Sequence, residues 1–259
     1  MALHEVCIED CLRLRRQSPL IHNVTNYVAM NFTANALLAV GASPFMSSEP
    51  DEVREIVDLA DALVVNVGCL GTEQARAMYL AVEEAVLKGK PWVLDPAGVG
   101  LSCLRTSTVL DLISRFHPSV IRGNASEIAF LSGTGNAPRG MDSKLDSASV
   151  VDGAVTFARK SGSVISVSGS VDYVTDGNEI REIRGGSTLM KRVTAMGCTA
   201  SALTGAFLAV NGNFLEAASH AAELMSEAGS IAAAGEPGPG TFAVKFIDAL
   251  AALSVEVGK

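Results

Sequence analysis

The stretch W-V-L-D-P, residues 92–96, decides the fold: three apolar residues run straight into a carboxylate and a proline. A short apolar run without alternation suits a strand buried on both faces, the habit of a parallel sheet covered by helices. The same layout returns on either side of it, in A-L-V-V-N-V-G (62–68), S-V-I-R-G-N (119–124) and S-V-I-S-V-S-G (163–169). Longer helical patterns separate these runs. In T-E-Q-A-R-A-M-Y-L-A-V-E-E-A-V-L-K-G (72–89), Ala75, Met78, Leu80, Ala81 and Val82 make an apolar stripe and Gly89 a stop; residues 146–160 read as a helix too. The alternation predicts βαβ units and a mostly parallel central sheet with helices on both faces.

After Gly169 the pattern changes to D-Y-V-T-D-G-N-E-I-R-E-I-R-G-G (172–186), whose D-G-N centre predicts an antiparallel edge hairpin with strands at about 171–175 and 179–184. From Gly197 onward the chain reads as helical, with a rigid G-E-P-G-P-G-T-F loop (235–242) before a last helix from about Phe242. The run N-A-P-R-G-M-D-S-K (136–144) reads as a surface loop, and one α/β domain over residues 1–259 is expected.

Bulk composition narrows the function. A net charge of −8, with 20 scattered Lys and Arg, argues against nucleic-acid binding. Five cysteines (Cys7, Cys11, Cys69, Cys103 and Cys198) show no zinc spacing and suit a reducing cytoplasm. No signal-peptide layout and no apolar run of membrane-spanning length is found, so no membrane association is expected.

Ligands of open α/β sheets bind beyond the carboxyl ends of the strands. Asp95 stands there, as a magnesium ligand or a turn-forming Asp before Pro96. Asn124 and Glu127, in N-A-S-E, form either a capping box or a polar site. Arg122 is a candidate phosphate clamp or a surface ion-pair partner. Ser168 and Gly169 end a strand where a nucleotide could approach, or simply enter the hairpin; Gly177 belongs to the turn.

In T-A-M-G-C (194–198), Gly197 leaves room at a helix mouth whose free N–H groups attract anions. Cys198 beside it is expected to lean towards thiolate, as nucleophile, proton acceptor or packing residue. Among four histidines, His22 is the best placed partner for a Cys-His hydrolase, though no hydrolase signature surrounds it; His117 and His220 read as surface or satisfied. The segment 22–46 interleaves Asn23, Thr25, Asn26, Asn31, Thr33 and Asn35 with apolar residues. A subset could hydrogen-bond a small heteroaromatic ligand, with Met46 as a soft wall or as plain core.

In register, the pieces S-P-L-I-H-N-V-T-N, F-T-A-N-A-L-L-A-V-G-A-S-P-F-M, L-V-V-N-V-G, W-V-L-D-P-A-G-V-G, I-R-G-N-A-S-E-I, S-V-S-G-S-V-D-Y-V-T-D-G, M-G-C-T-A-S-A-L and G-P-G-T-F resemble hydroxyethylthiazole kinases, thiamine-salvage members of the ribokinase-like superfamily. The resemblance covers nearly the whole chain. It implies a three-layer ribokinase-like fold and phosphorylation of 5-(2-hydroxyethyl)-4-methylthiazole by ATP with Mg2+. A cytoplasmic homotrimer with pockets at subunit boundaries is implied too, with a helix at about 28–38 as the guessed interface.

By motif, Asn23, Met46, Ala195 and Cys198 would meet the thiazole, and Arg122, Asn124, Ser168 and Gly169 the nucleotide. Asp95 and Glu127 would hold magnesium. Cys198 and Gly197 would serve catalysis, the cysteine standing where most of the superfamily has an aspartate base. Two departures stand out: A-M-G-C replaces the commoner G-T-G-C, so Ala195 restricts the backbone and Met196 adds bulk, and S-V-S-G-S replaces a V-T-G-E-like run. The alternatives are a kinase for another vitamin precursor, a hydroxymethyl-pyrimidine or pyridoxal, and a catalytically idle binder of thiazole or nucleotide.

Overall fold

A computed structural model describes residues 3–136 and 145–254. Its strands are Leu20–Val24 (β1), Ser43–Met46 (β2), Ala62–Asn66 (β3), Trp92–Asp95 (β4), Val120–Asn124 (β5), Val164–Ser168 (β6), Val171–Thr175 (β7) and Ile180–Arg184 (β8). They form one sheet in the order β2-β1-β3-β4-β5-β6-β7-β8. Pairing is parallel from β2 to β6 and antiparallel across β6-β7 and β7-β8, so the edge hairpin lies where the D-G-N turn predicts it.

Helices cover both faces. One face carries Glu5–Gln17 (α1), Met30–Ala39 (α2), Met196–Val210 (α8), Phe214–Ala232 (α9) and Pro239–Leu253 (α10); the other carries Val53–Leu59 (α3), Thr72–Leu87 (α4), Cys103–Phe116 (α5), Ala125–Ser132 (α6) and Val151–Ser161 (α7). Successive strand residues feed the two cores in turn: Ala62, Val64 and Val93 enter the first, Leu63, Val65, Trp92 and Leu94 the second. That is why these strands read as unbroken apolar runs.

The last helix starts at Pro239, not Phe242, because proline fits the first helical turn, where its missing N–H has no intrahelical partner anyway. Of the expected surface loop, residues 137–144 lie outside the described residues. The parallel register sets strand ends side by side: Asn23 opposite Met46, Asn66 opposite Asp95, and Asn124 opposite Ser168. A row of polar residues thus crowns the carboxyl edge of the sheet.

Candidate active site

The head of α8 stands over that row. Ala195 is its N-cap, in a left-handed conformation with φ 71°, and Gly197 follows in the first turn. A Cβ on Gly197 would lie 2.9 Å from Arg122 Nη1, so the glycine is what lets the guanidinium reach the helix head. Arg122 Nη1 donates to the Gly197 carbonyl at 3.1 Å, which sets it inside the site and not in a surface ion pair.

Cys198 projects into the same space. Its sulfur accepts from Asn26 Nδ2 at 3.1 Å and Asn66 Nδ2 at 3.3 Å, while Asn26 Nδ2 also reaches Asn66 Oδ1 at 3.0 Å. The expectation of a thiolate is overturned. Burial, with the Asp95 charge beside it, outweighs these N–H donors and pushes the thiol up to about 11. Nor does His22 approach it: His22 Nε2 donates to the Ser47 carbonyl at 3.1 Å, and burial lowers its pKa to about 4. Among the described residues no Cys-His pair forms, which leaves the hydrolase reading without its machinery. His220 is satisfied by Asp10 at 2.8 Å, and His117 closes α5 in a left-handed cap facing the Ser161 carbonyl at 3.3 Å.

Asn124 and Glu127 do build the capping box of α6. The same Glu127 is 5% exposed and spans two strand ends: its Oε1 accepts from Gly98 N at 2.9 Å and its Oε2 from Asn124 N at 2.8 Å. Cap and site are therefore one arrangement. Asp95 is buried beside it and accepts from Ser201 Oγ at 2.7 Å. Burial raises both carboxylates, Glu127 to about 7 with the Asp95 charge adding to the effect, and Arg122 only partly offsets this. Two buried carboxylates suit the donor chemistry of magnesium, which commonly takes one or two carboxylates and completes its shell with water and phosphate. Among the described residues no three acidic, histidine or cysteine side chains gather as a cage, so the fit is to such a partly hydrated ion.

At the next strand end, Ser168 Oγ reaches the Gly123 carbonyl at 3.5 Å, and Gly169 N donates to Asp172 Oδ1 at 2.8 Å. The space that Gly169 leaves open is used by Ser147, whose Oγ would be 2.3 Å from a Cβ there. Asp172 escaped the sequence reading. Burial pushes it up to about 6, against the pull of the Gly169 N–H and Arg122, so it braces the turn after β6.

Beside the helix head, Met46 lines a hollow of about 370 Å3 with Tyr27, Met30, Ser47, Pro50 and Gln74. Met46 packs on the core as well, as a partly buried residue. Asn23 is fully buried; its Nδ2 donates to the Ile21 carbonyl at 2.9 Å and its Oδ1 has no partner. Asn66 and Ser201 also went unnoticed in the sequence. Asn66 had a usable signal, since it ends L-V-V-N as Asp95 ends W-V-L-D. Arg105 had none: from α5 its guanidinium donates to the carbonyls of Val67, Gly68 and Ala97 and ties the ends of β3 and β4 together.

Comparison with known proteins shows the family and the fold. The family model for the hydroxyethylthiazole kinase family matches residues 12–256. A hydroxyethylthiazole kinase of Nitratidesulfovibrio vulgaris is 49% identical over 241 residues, 93% of this chain and 90% of that protein. One from Brachyspira hyodysenteriae is 45% identical over 253 residues, covering 98% and 96%. The solved hydroxyethylthiazole kinase protein of Pyrococcus horikoshii OT3 superposes with a TM-score of 0.88 at 39% identity, over 96% of this chain and 94% of that one. A pyridoxal kinase from Staphylococcus aureus, at 17% identity and TM-score 0.61 over 82% of this chain and 87% of its own, shares the fold.

Proposed function

The chain belongs to the hydroxyethylthiazole kinase family, and we propose that it moves the γ-phosphoryl group of ATP to the primary hydroxyl of 5-(2-hydroxyethyl)-4-methylthiazole, yielding the thiazole phosphate for thiamine salvage. One observation carries the residue-level reading: the head of α8, opened by Gly197, meets the Arg122 guanidinium and the Cys198 thiol within one turn.

Phosphoryl transfer depends on positioning and on neutralising charge around the moving group. Arg122 and the free N–H groups at the head of α8 supply fixed positive charge for the γ-phosphate. Asn124, Ser168 and Gly169 border the nucleotide, and Met46 and Ala195 border the thiazole, whereas Asn23, fully buried, offers it no surface. Asp95 and Glu127 would hold Mg2+, which when bound neutralises phosphate charge. Burial alone favours their protonated forms, and a bound cation would favour the loss of those protons.

Cys198, neutral at physiological pH with two amides on its sulfur, serves as a small hydrogen-bonding neighbour of the substrate hydroxyl. It is a poor base. In a loose transition state the hydroxyl proton leaves late, so a strong base is not needed and turnover is modest.

The protein works as a homotrimer with its pockets near subunit boundaries. In support, Tyr27 and Val28, each 65% exposed, and Leu38, 59% exposed, set apolar surface at and near α2, beside the hollow. A cytoplasmic setting fits its free cysteines, and no described helix is long and apolar enough to cross a membrane.

The test is ADP release with magnesium-ATP and the thiazole, for wild type beside Cys198→Ala and Cys198→Asp. Wild type should turn over, Cys198→Ala should fall severalfold, and Cys198→Asp should remain active. No thiazole-dependent ADP from any of the three would sink the assignment.

A further inference from the structure

The hollow beside Met46 presents acceptors and no cation. Glu49 and Glu73 line it, and no Lys, Arg or His does among the described residues. The Glu49 carboxylate has no ion pair there; its backbone N–H donates to Ser47 Oγ at 3.2 Å. Glu73 meets Arg76 Nη1 at 3.4 Å, in a pair with side chains 72% and 60% exposed, where water weakens the neutralisation. Gln74, 5% exposed, belongs to the wall: its Nε2 donates to the Thr25 carbonyl at 2.9 Å, which fixes the amide. The walls are the Tyr27 ring and the thioethers of Met30 and Met46, polarizable surfaces that favour positive charge.

A neutral thiazole offers this surface a ring nitrogen with a lone pair, one more acceptor. Its nitrogen stands across the ring from the carbon that bears the hydroxyethyl arm. Asn26, which holds Cys198, directly precedes Tyr27, so the hollow begins one residue along the chain from the contact to the thiol.

We propose that the hollow also accepts N-alkylated thiazolium alcohols as phosphoryl acceptors, with the ring cation facing Glu49, Glu73 and the Tyr27 ring. This rests on the kinase reading above. The step is the same: the alcohol oxygen bonds to the γ-phosphorus, the bond from that phosphorus to the β,γ-bridging oxygen breaks, ADP takes the electron pair and the hydroxyl proton passes to water. The ring charge stays unchanged throughout.

The probe is 3,4-dimethyl-5-(2-hydroxyethyl)thiazolium, compared with the neutral thiazole by kcat/KM and by calorimetric Kd on the assembled protein, at low and high salt. The thiazolium should be phosphorylated. Glu49→Gln and Glu73→Gln should each lower the thiazolium-to-neutral ratio of kcat/KM by about fivefold, an effect of one screened charge that shrinks with salt. Phosphorylation of the neutral alcohol without binding or turnover of the thiazolium overturns the proposal, as does an unchanged ratio in both variants. If the neutral alcohol itself yields no ADP, the kinase reading fails, and the calorimetric Kd of the thiazolium in wild type and the two glutamine variants still decides the charge preference.

Discussion

Substituting alanine for Gly197 separates chemistry from folding. The added methyl would sit 2.9 Å from Arg122 Nη1, at the far end of a flexible side chain that can retreat. Retreat breaks the 3.1 Å bond to the Gly197 carbonyl and draws the guanidinium away from the phosphate path. A hydrogen bond to a charged group contributes about 1.5–3 kcal/mol, and removing one preorganised donor from a transition state costs about 2.7–4 kcal/mol. Together these put the loss in kcat at about 10²- to 10³-fold. Stability changes less, since the helix preference of alanine over glycine, up to about 1 kcal/mol, offsets part of the lost bond. Coupled measurement of ADP release at saturating substrates, with a thermal melt on the same preparation, reads both quantities. A variant keeping more than about a tenth of the wild-type kcat would refute the claim that Gly197 exists to admit Arg122.

The neighbouring cap gives the opposite outcome. Ala195 sits at φ 71°, where a side chain costs about 1–2 kcal/mol against about 0.4–1 kcal/mol of extra chain entropy for glycine; Ala195→Gly should therefore stabilise by about 0.5–1 kcal/mol and raise Tm by about 2 °C. An unchanged or lower Tm in a thermal melt would show that no strain is stored there. Glu127 makes stability depend on pH: its folded pKa is raised from 4.5 to about 7, so its contribution is fully present below pH 4.5 and is lost as the pH climbs through 7. Urea unfolding of the ligand-free protein should show a decline of about 3 kcal/mol from this group between pH 4.5 and 8, missing in Glu127→Gln; matching slopes in the two proteins would remove Glu127 as its source.

Strands β3 to β6 and the β7-β8 hairpin were legible because each is written in local chemistry, as apolar runs ending in Asn, Asp or Ser and a D-G-N turn; β1, with His22 and Asn23 inside it, and β2, with Pro44, were not read as strands. The site was legible only where a residue closes such a run, as Asp95, Asn124 and Ser168 do. Asn26 and Asn66 come together across 40 positions through parallel register, which no local pattern encodes. The state of Cys198 was misread for a related reason. A helix mouth is visible in M-G-C, but the burial and the Asp95 charge that govern the thiol arise from segments far along the chain. Likewise the packing of Ser147 against the Cβ side of Gly169 comes from a distant segment that no local pattern reveals.

The order of the chain sets a schedule for its synthesis. Every strand is complete by Arg184, yet α8, α9 and α10, which cover much of one face, begin only at Met196. Until those helices leave the ribosome, Ile21, Val64, Val93, Val120 and Val164 form a nearly bare apolar floor under α1 and α2 alone. A nascent or truncated chain ending near residue 190 is thus a sheet open to aggregation, and a natural client for chaperones that hold exposed apolar surface. The same helix whose head carries Gly197 and Cys198 also covers the floor, so the candidate site and the core of that face are completed in one late step.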